Sequence, residues 1–146
     1  MRATYSKTIT EADIVLFAGV SGDNNALHLS EEFAATTRFG GLIAHGFLTA
    51  SVISAAVANR LPGPGTIYLS QQLNFRAPVR PGQTVHACVC VSAVDVARRR
   101  VTLVQCCMLD GAFKTDAFGR VVRRKPQRYR GIARICNDTA GTKARF

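Results

Sequence analysis

Asp23 and His28 lie five positions apart in Ser21-Gly22-Asp23-Asn24-Asn25-Ala26-Leu27-His28, a stretch too rich in Gly and Asn for a helix. On a loop, a carboxylate and an imidazole are not committed to a helix face. The chain can therefore turn both toward one point, as a general acid and base acting on a single water must be. The same residue types also close Asx-turns and cap helices, a structural reading that their spacing alone leaves open. Further along, Gly40-Gly41-Leu42-Ile43-Ala44-His45-Gly46 leads into the apolar run Phe47 to Ala58, which reads as a helix. Its N-terminal amides would receive developing negative charge, so acid/base pair and anion site are expected close in sequence.

The surrounding pattern supplies the elements that must position these groups. Residues 3 to 9 read as a short edge strand. Thr10-Glu11-Ala12-Asp13 carries an N-cap with an acid at the third helical position, and a helix from about Glu11 to Gly19 follows with Ile14, Phe17 and Ala18 as its apolar stripe. Ser30 caps a second short helix, Glu31 to Thr36, with two acids in its first turn. The helix from about Gly46 to Asn59 has no charged face before Arg60, so it is expected to be buried at the centre of the fold.

After Leu61-Pro62-Gly63-Pro64-Gly65 the period changes to that of strands. Ile67 to Phe75, Val85 to Ala97, Val101 to Leu109 and Lys114 to Arg123 follow one another, the last three separated by Arg98-Arg99-Arg100 and Asp110-Gly111. Helices early and adjacent strands late predict an α+β fold with an antiparallel sheet.

Several stretches together resemble the MaoC-like family of hot-dog-fold proteins, and within it the (R)-specific enoyl-CoA hydratases. They are Ser21 to His28, Phe33-Ala34-Ala35-Thr36-Thr37, Ile43-Ala44-His45-Gly46, Ser51 to Ser54, Leu61 to Leu69, and Phe75-Arg76-Ala77-Pro78-Val79, within a match spanning roughly residues 8 to 124. The sequence departs from the usual pattern at Ala26, where a Pro is common, which loosens the loop without removing a reacting group.

The resemblance implies a hot-dog fold, an antiparallel β-sheet wrapped around a long central helix, over residues 1–125. It also implies a homodimer with a site near the subunit boundary. Hydration of a 2-enoyl thioester puts a water oxygen on C3 and a proton on C2, and the thioester oxygen becomes an enolate. Carried across, the family's pattern makes Asp23 and His28 the catalytic pair, gives the oxyanion to the Gly46 amide, and lets Ser54 line the substrate site. The structural reading of Ser54 is a hydroxyl bonded back to a carbonyl one turn earlier. His45 reads as a turn residue and His86 as a sheet-surface residue.

With 146 residues and 47% hydrophobic composition, the chain suits one domain with a real core. It shows no apolar leader and no span long enough for a bilayer, so a soluble, cytoplasmic protein is expected. Cys88, Cys90, Cys106, Cys107 and Cys136 contain no C-x-x-C spacing and read as reduced, buried small hydrophobes; a nucleophilic Cys is the sharper alternative, but no His stands at a suggestive spacing. No His, Cys, Asp or Glu cluster has metal spacing and no Gly-rich phosphate loop is present, so neither a metal nor a separate cofactor is implied; coenzyme A would arrive as part of the substrate.

The net charge of +10 is uneven. Residues 120–146 hold nine Lys/Arg against one acid, Asp138, leaving ten basic and eight acidic residues in the body. Residues 126–146 read as a basic tail, partly disordered, whose charge is solvated or helps attract coenzyme A phosphates. Charge concentrated outside any motif argues against a nucleic-acid partner. The alternatives to a hydratase are a hydroxyacyl dehydratase or thioesterase on the same fold, and a non-catalytic acyl-thioester-binding module.

Overall fold

The structure, a computed structural model, describes residues 1–109 and 112–123. The element order is β1 (Arg2–Thr8), α1 (Glu11–Ser21), α2 (Ala26–Leu29), α3 (Glu31–Ala35), α4 (Gly46–Asn59), β2 (Thr66–Phe75), β3 (Thr84–Asp95), β4 (Arg100–Leu109) and β5 (Ala112–Arg123). The five strands form one sheet in the order β1-β3-β4-β5-β2, and every pairing is antiparallel. The fold class expected from the sequence is the one observed, and α4 runs from Gly46 to Asn59 as its pattern predicts. Asp110-Gly111 and the tail from Arg124 onward lie outside the described residues.

Alternation along the strands explains how the sheet packs on α4. Val85, Ala87, Val89 and Val91 of β3 and Val101, Leu103 and Cys107 of β4 are buried against Val52, Ile53, Ala56 and Val57 of α4. The intervening residues His86, Cys88, Cys90 and Cys106 stand on the opposite face by the period of two. His86 is exposed there, its Nδ1 2.7 Å from the Ser6 hydroxyl, as a sheet-surface residue should be. Cys88 and Cys107 are buried and Cys90 and Cys106 half-buried, none of the four forms a disulfide, and burial pushes the Cys106 and Cys107 thiols up to about 12, far from nucleophilic use at neutral pH.

One expectation needs correction. Helix α4 is not covered all round, because Phe47, Ser51, Ser54 and Ala58, spaced to share one stripe, are exposed, with Phe47 66% exposed. Five strands suffice to wrap one side of a helix but leave the other open. The edge strand β2 beside this opening also exposes Ile67 and Leu69.

Thr10 closes a capping box at the start of α1: the Asp13 amide donates to Thr10 Oγ1 at 3.1 Å and the Thr10 amide donates to Asp13 Oδ2 at 2.8 Å. The Thr10 amide, with Lys7 Nζ at 2.9 Å, holds the Asp13 carboxyl down at about 2. Because the folded value is below the unfolded one, this contribution is complete above pH ~4 and disappears as pH falls through about 2. The melting temperature of Asp13→Ala should accordingly lie below that of the unsubstituted protein at pH 5 and approach it toward pH 2. A gap that stays constant across that range would show that the carboxylate charge contributes nothing.

Candidate active site

Asp23 is delivered by the way α1 ends. Gly22 takes the left-handed conformation, φ 76°, and donates its amide to the Ala18 carbonyl at 2.9 Å, which turns the chain out of the helix one residue before Asp23. The Asn25 amide donates to Asp23 Oδ1 at 3.4 Å, so the Asx-turn reading of this stretch is realised alongside the site reading. Asn25 in turn caps α2, its Oδ1 accepting from the Leu27 amide at 3.0 Å. His28 therefore sits on a one-turn helix, not on an open loop as expected. Ala26 occupies the first helical position, where a Pro is well tolerated.

His28 Nδ1 lies 2.8 Å from the Ile43 carbonyl. A carbonyl only accepts, so Nδ1 carries the proton and Nε2 keeps its lone pair. His45, at the N-cap of α4 and 2% exposed, is fixed in the opposite sense: its Nε2 donates to the Asp23 main-chain carbonyl at 3.0 Å. The two imidazoles stack with centroids 3.8 Å apart and an interplanar angle of 32°, and Phe17 covers His45 at 5.0 Å. Ligating atoms of Asp23, His28 and His45 lie within 4.8 Å of one another.

Linear spacing gave no hint of this trio, and His45, read as a turn residue, is its most buried member. Its donor set of one carboxylate and two imidazoles would suit a divalent transition metal by type. Two imidazoles sharing an ion turn their edges toward it, however, whereas here they turn their faces toward each other. The arrangement brings together a carboxylate and imidazoles whose residue types can hold and move protons.

A cavity of about 320 Å³ opens beside it, lined among others by His28, Gly46, Thr49, Phe75, Arg38 and Arg76. Gly46 begins α4, so its amide belongs to the helix turn that lacks intrahelical acceptors. A Cβ at this position would meet three atoms of the Phe75 ring at 3.1 to 3.3 Å, which is why Gly stands there. Of the residues singled out in the sequence, His28 and Gly46 line the cavity and Asp23 meets His28 from the adjoining loop. Ser54 lies two turns further along α4 on the exposed stripe, outside the cavity lining, and interacts through its side chain with the Tyr68 hydroxyl. The neighbouring Ser51 is the one bonded back to a carbonyl, that of Leu48, at 2.6 Å. Arg38, Arg76 and Phe75 received no role from the sequence, although Phe75 and Arg76 open one of the stretches that resemble the family.

A five-stranded antiparallel sheet packed on one long helix, with a carboxylate and an imidazole brought to that helix's N-terminus, is the architecture of a hot-dog-fold protein. Residues 1–106 match the MaoC-like domain model. The chain is 50% identical to the (R)-specific enoyl-CoA hydratase of Rhodospirillum rubrum over 75% of its own length and 76% of the relative's. It is 54% identical to the 3-hydroxybutyryl-CoA dehydratase of Methylorubrum extorquens over 69% of its own length and 64% of that relative. Its structure superposes with a TM-score of 0.81 and 39% identity on the (R)-hydratase from A. caviae involved in PHA biosynthesis, covering 84% of this chain and 94% of that one. The chain belongs to the MaoC-like domain family.

Proposed function

We propose that this protein is an (R)-specific enoyl-CoA hydratase, reversibly adding water to a trans-2-enoyl-CoA to give the (R)-3-hydroxyacyl-CoA without a separate cofactor. The observation that carries the reading is the convergence of Asp23 and His28 within 4.8 Å beside a cavity that also receives Gly46. Asp23 and the His28 Nε2 lone pair hold one water between them. As its oxygen bonds to C3 the pair takes up one proton, and a proton passes from the pair to C2 on the same face, so the protein ends as it began. The electrons that reach the thioester oxygen are met by the Gly46 amide at the positive end of α4. Arg38 and Arg76, on the wall of the same cavity, supply guanidinium groups for the coenzyme A phosphates, a role the sequence had offered to the tail.

The working protein is a homodimer in this reading. Strand β2 is an edge that exposes Ile67 and Leu69, the open stripe of α4 exposes Phe47, and a second copy joined at this edge would cover apolar surface and wall the substrate path past Ser54. Sedimentation at micromolar concentration should report twice the 15.7 kDa chain mass. A catalytically active monomer there would refute the arrangement.

The decisive experiment adds purified protein to crotonyl-CoA and follows the enoyl-thioester absorbance together with free thiol. Loss of absorbance without thiol release, and an (R)-configured product, is the expected result. Thiol release at the same rate would make the protein a thioesterase, and no change in either signal would leave a binding module.

A further inference from the structure

We propose that His45 is the positioning residue of the Asp23/His28 pair, joining the two reacting groups through one buried ring. The inference rests on the acid/base reading above but adds a residue that neither the sequence pattern nor the catalytic chemistry required. Three independent contacts carry it. His45 Nε2 donates to the main-chain carbonyl of Asp23 at 3.0 Å, a tether across 22 positions of sequence from the start of α4 to the loop that bears the carboxylate. The His45 ring face packs on His28 at a centroid distance of 3.8 Å, and Phe17 backs it at 5.0 Å, so the imidazole of the pair rests on a ring that cannot retreat. His45 is also the N-cap of α4 yet makes no side-chain cap bond, so its imidazole is engaged with the site and not with its own helix.

The buried polar inventory points the same way. His45 Nδ1 is one of two buried side-chain polar atoms with no hydrogen-bond partner among the described residues. A buried orphan lone pair is unfavourable, and a core position filled for packing alone would be better served by Phe or Leu. What the imidazole adds over such a ring is the Nε2–H on the Asp23 carbonyl. His45 precedes Gly46 in the chain, so the same residue fixes the carboxylate loop, the His28 face and the first amide of α4 in one frame. A displacement of about 1 Å among groups that must act on one water can cost ~10²-fold in rate.

Two substitutions separate the tether from packing. His45→Phe keeps a ring against His28 and Phe17 but has no donor; His45→Gln loses the ring but places an amide N–H within reach of the position of Nε2. Both are compared with the unsubstituted protein by melting temperature, by kcat and KM for crotonyl-CoA, and by the proton NMR titration of the His28 ring. The expected result is that His45→Phe folds, loses ~30- to 100-fold in kcat with KM changed less than threefold, and shifts the His28 titration midpoint, while His45→Gln recovers at least tenfold of the lost kcat. Full activity in His45→Phe, or no recovery in His45→Gln, overturns the proposal. So does a loss that follows the melting temperature across the two variants. If no acyl thioester is turned over, the NMR titration still decides: an unmoved His28 midpoint in folded His45→Phe rejects the positioning role, whereas a moved midpoint upholds it and leaves only the hydratase reading to fail.

Discussion

Asp23→Asn and His28→Ala should each abolish hydration nearly completely while leaving the fold and subunit association in place. Asp23 is exposed and His28 half-buried, so neither change opens a core cavity, and neither side chain belongs to the cluster packed between α4 and the sheet. Each removes a group that must hold or move a proton, and such contributions are usually ~10²–10⁴-fold. Asp23→Asn is the sharper of the two, since it keeps the oxygen that accepts from the Asn25 amide and removes only the charge and the basic site. Activity within tenfold of the unsubstituted protein in either variant would sink the catalytic assignment. A double variant no worse than the singles would show that the two groups act as one unit on one water.

The second large effect is expected at Gly46. Gly→Ala gains up to ~1 kcal/mol in an exposed helix interior, but at the partly buried first residue of α4 the Phe75 contact offsets that gain, so Gly46→Ala should fold with a nearly unchanged melting temperature. Its new Cβ would stand 3.1 to 3.3 Å from three atoms of the Phe75 ring, tighter than ordinary contact. Phe75, half exposed and edge-on to Phe47 at 5.7 Å, must swing into the cavity it lines, or α4 must shift its first turn. Either response moves the proposed oxyanion donor against the Asp23/His28 pair or narrows the thioester's approach. A single donor of this kind is worth ~10²–10³-fold in kcat elsewhere, and a loss of at least ~10²-fold is expected. Stability retained with activity lost separates this outcome from misfolding. Turnover within threefold would mean that the α4 amide does not meet the substrate.

Local signals made most of the elements legible before the structure. The capping box at Thr10, the Ser30 cap and the Pro/Gly break after Leu61 depend on neighbours three or four residues away, and each boundary they imply is observed within a few residues. The strand periods are equally local, which is why β3 and β4 are found close to the bounds expected for them, Val85 to Ala97 and Val101 to Leu109. The loop bearing His28 was read less well: Asn25 nucleates a four-residue helix too short to leave a periodic trace.

The sequence by itself determined the class of the fold, the bounds of α4 and the types of the groups that meet at its start, because caps, periods and residue chemistry act over short separations. Only the tertiary structure decided the strand order, in which β2 pairs with the distant β5, and thereby left α4 with an open stripe. It alone put His45 between the carboxylate loop and His28, brought Arg38 and Arg76 to one cavity wall and tied Ser54 to Tyr68. Those meetings join residues separated by 14 to 38 positions, whose contact depends on how a twisted sheet curls over one helix. No window of sequence carries that information.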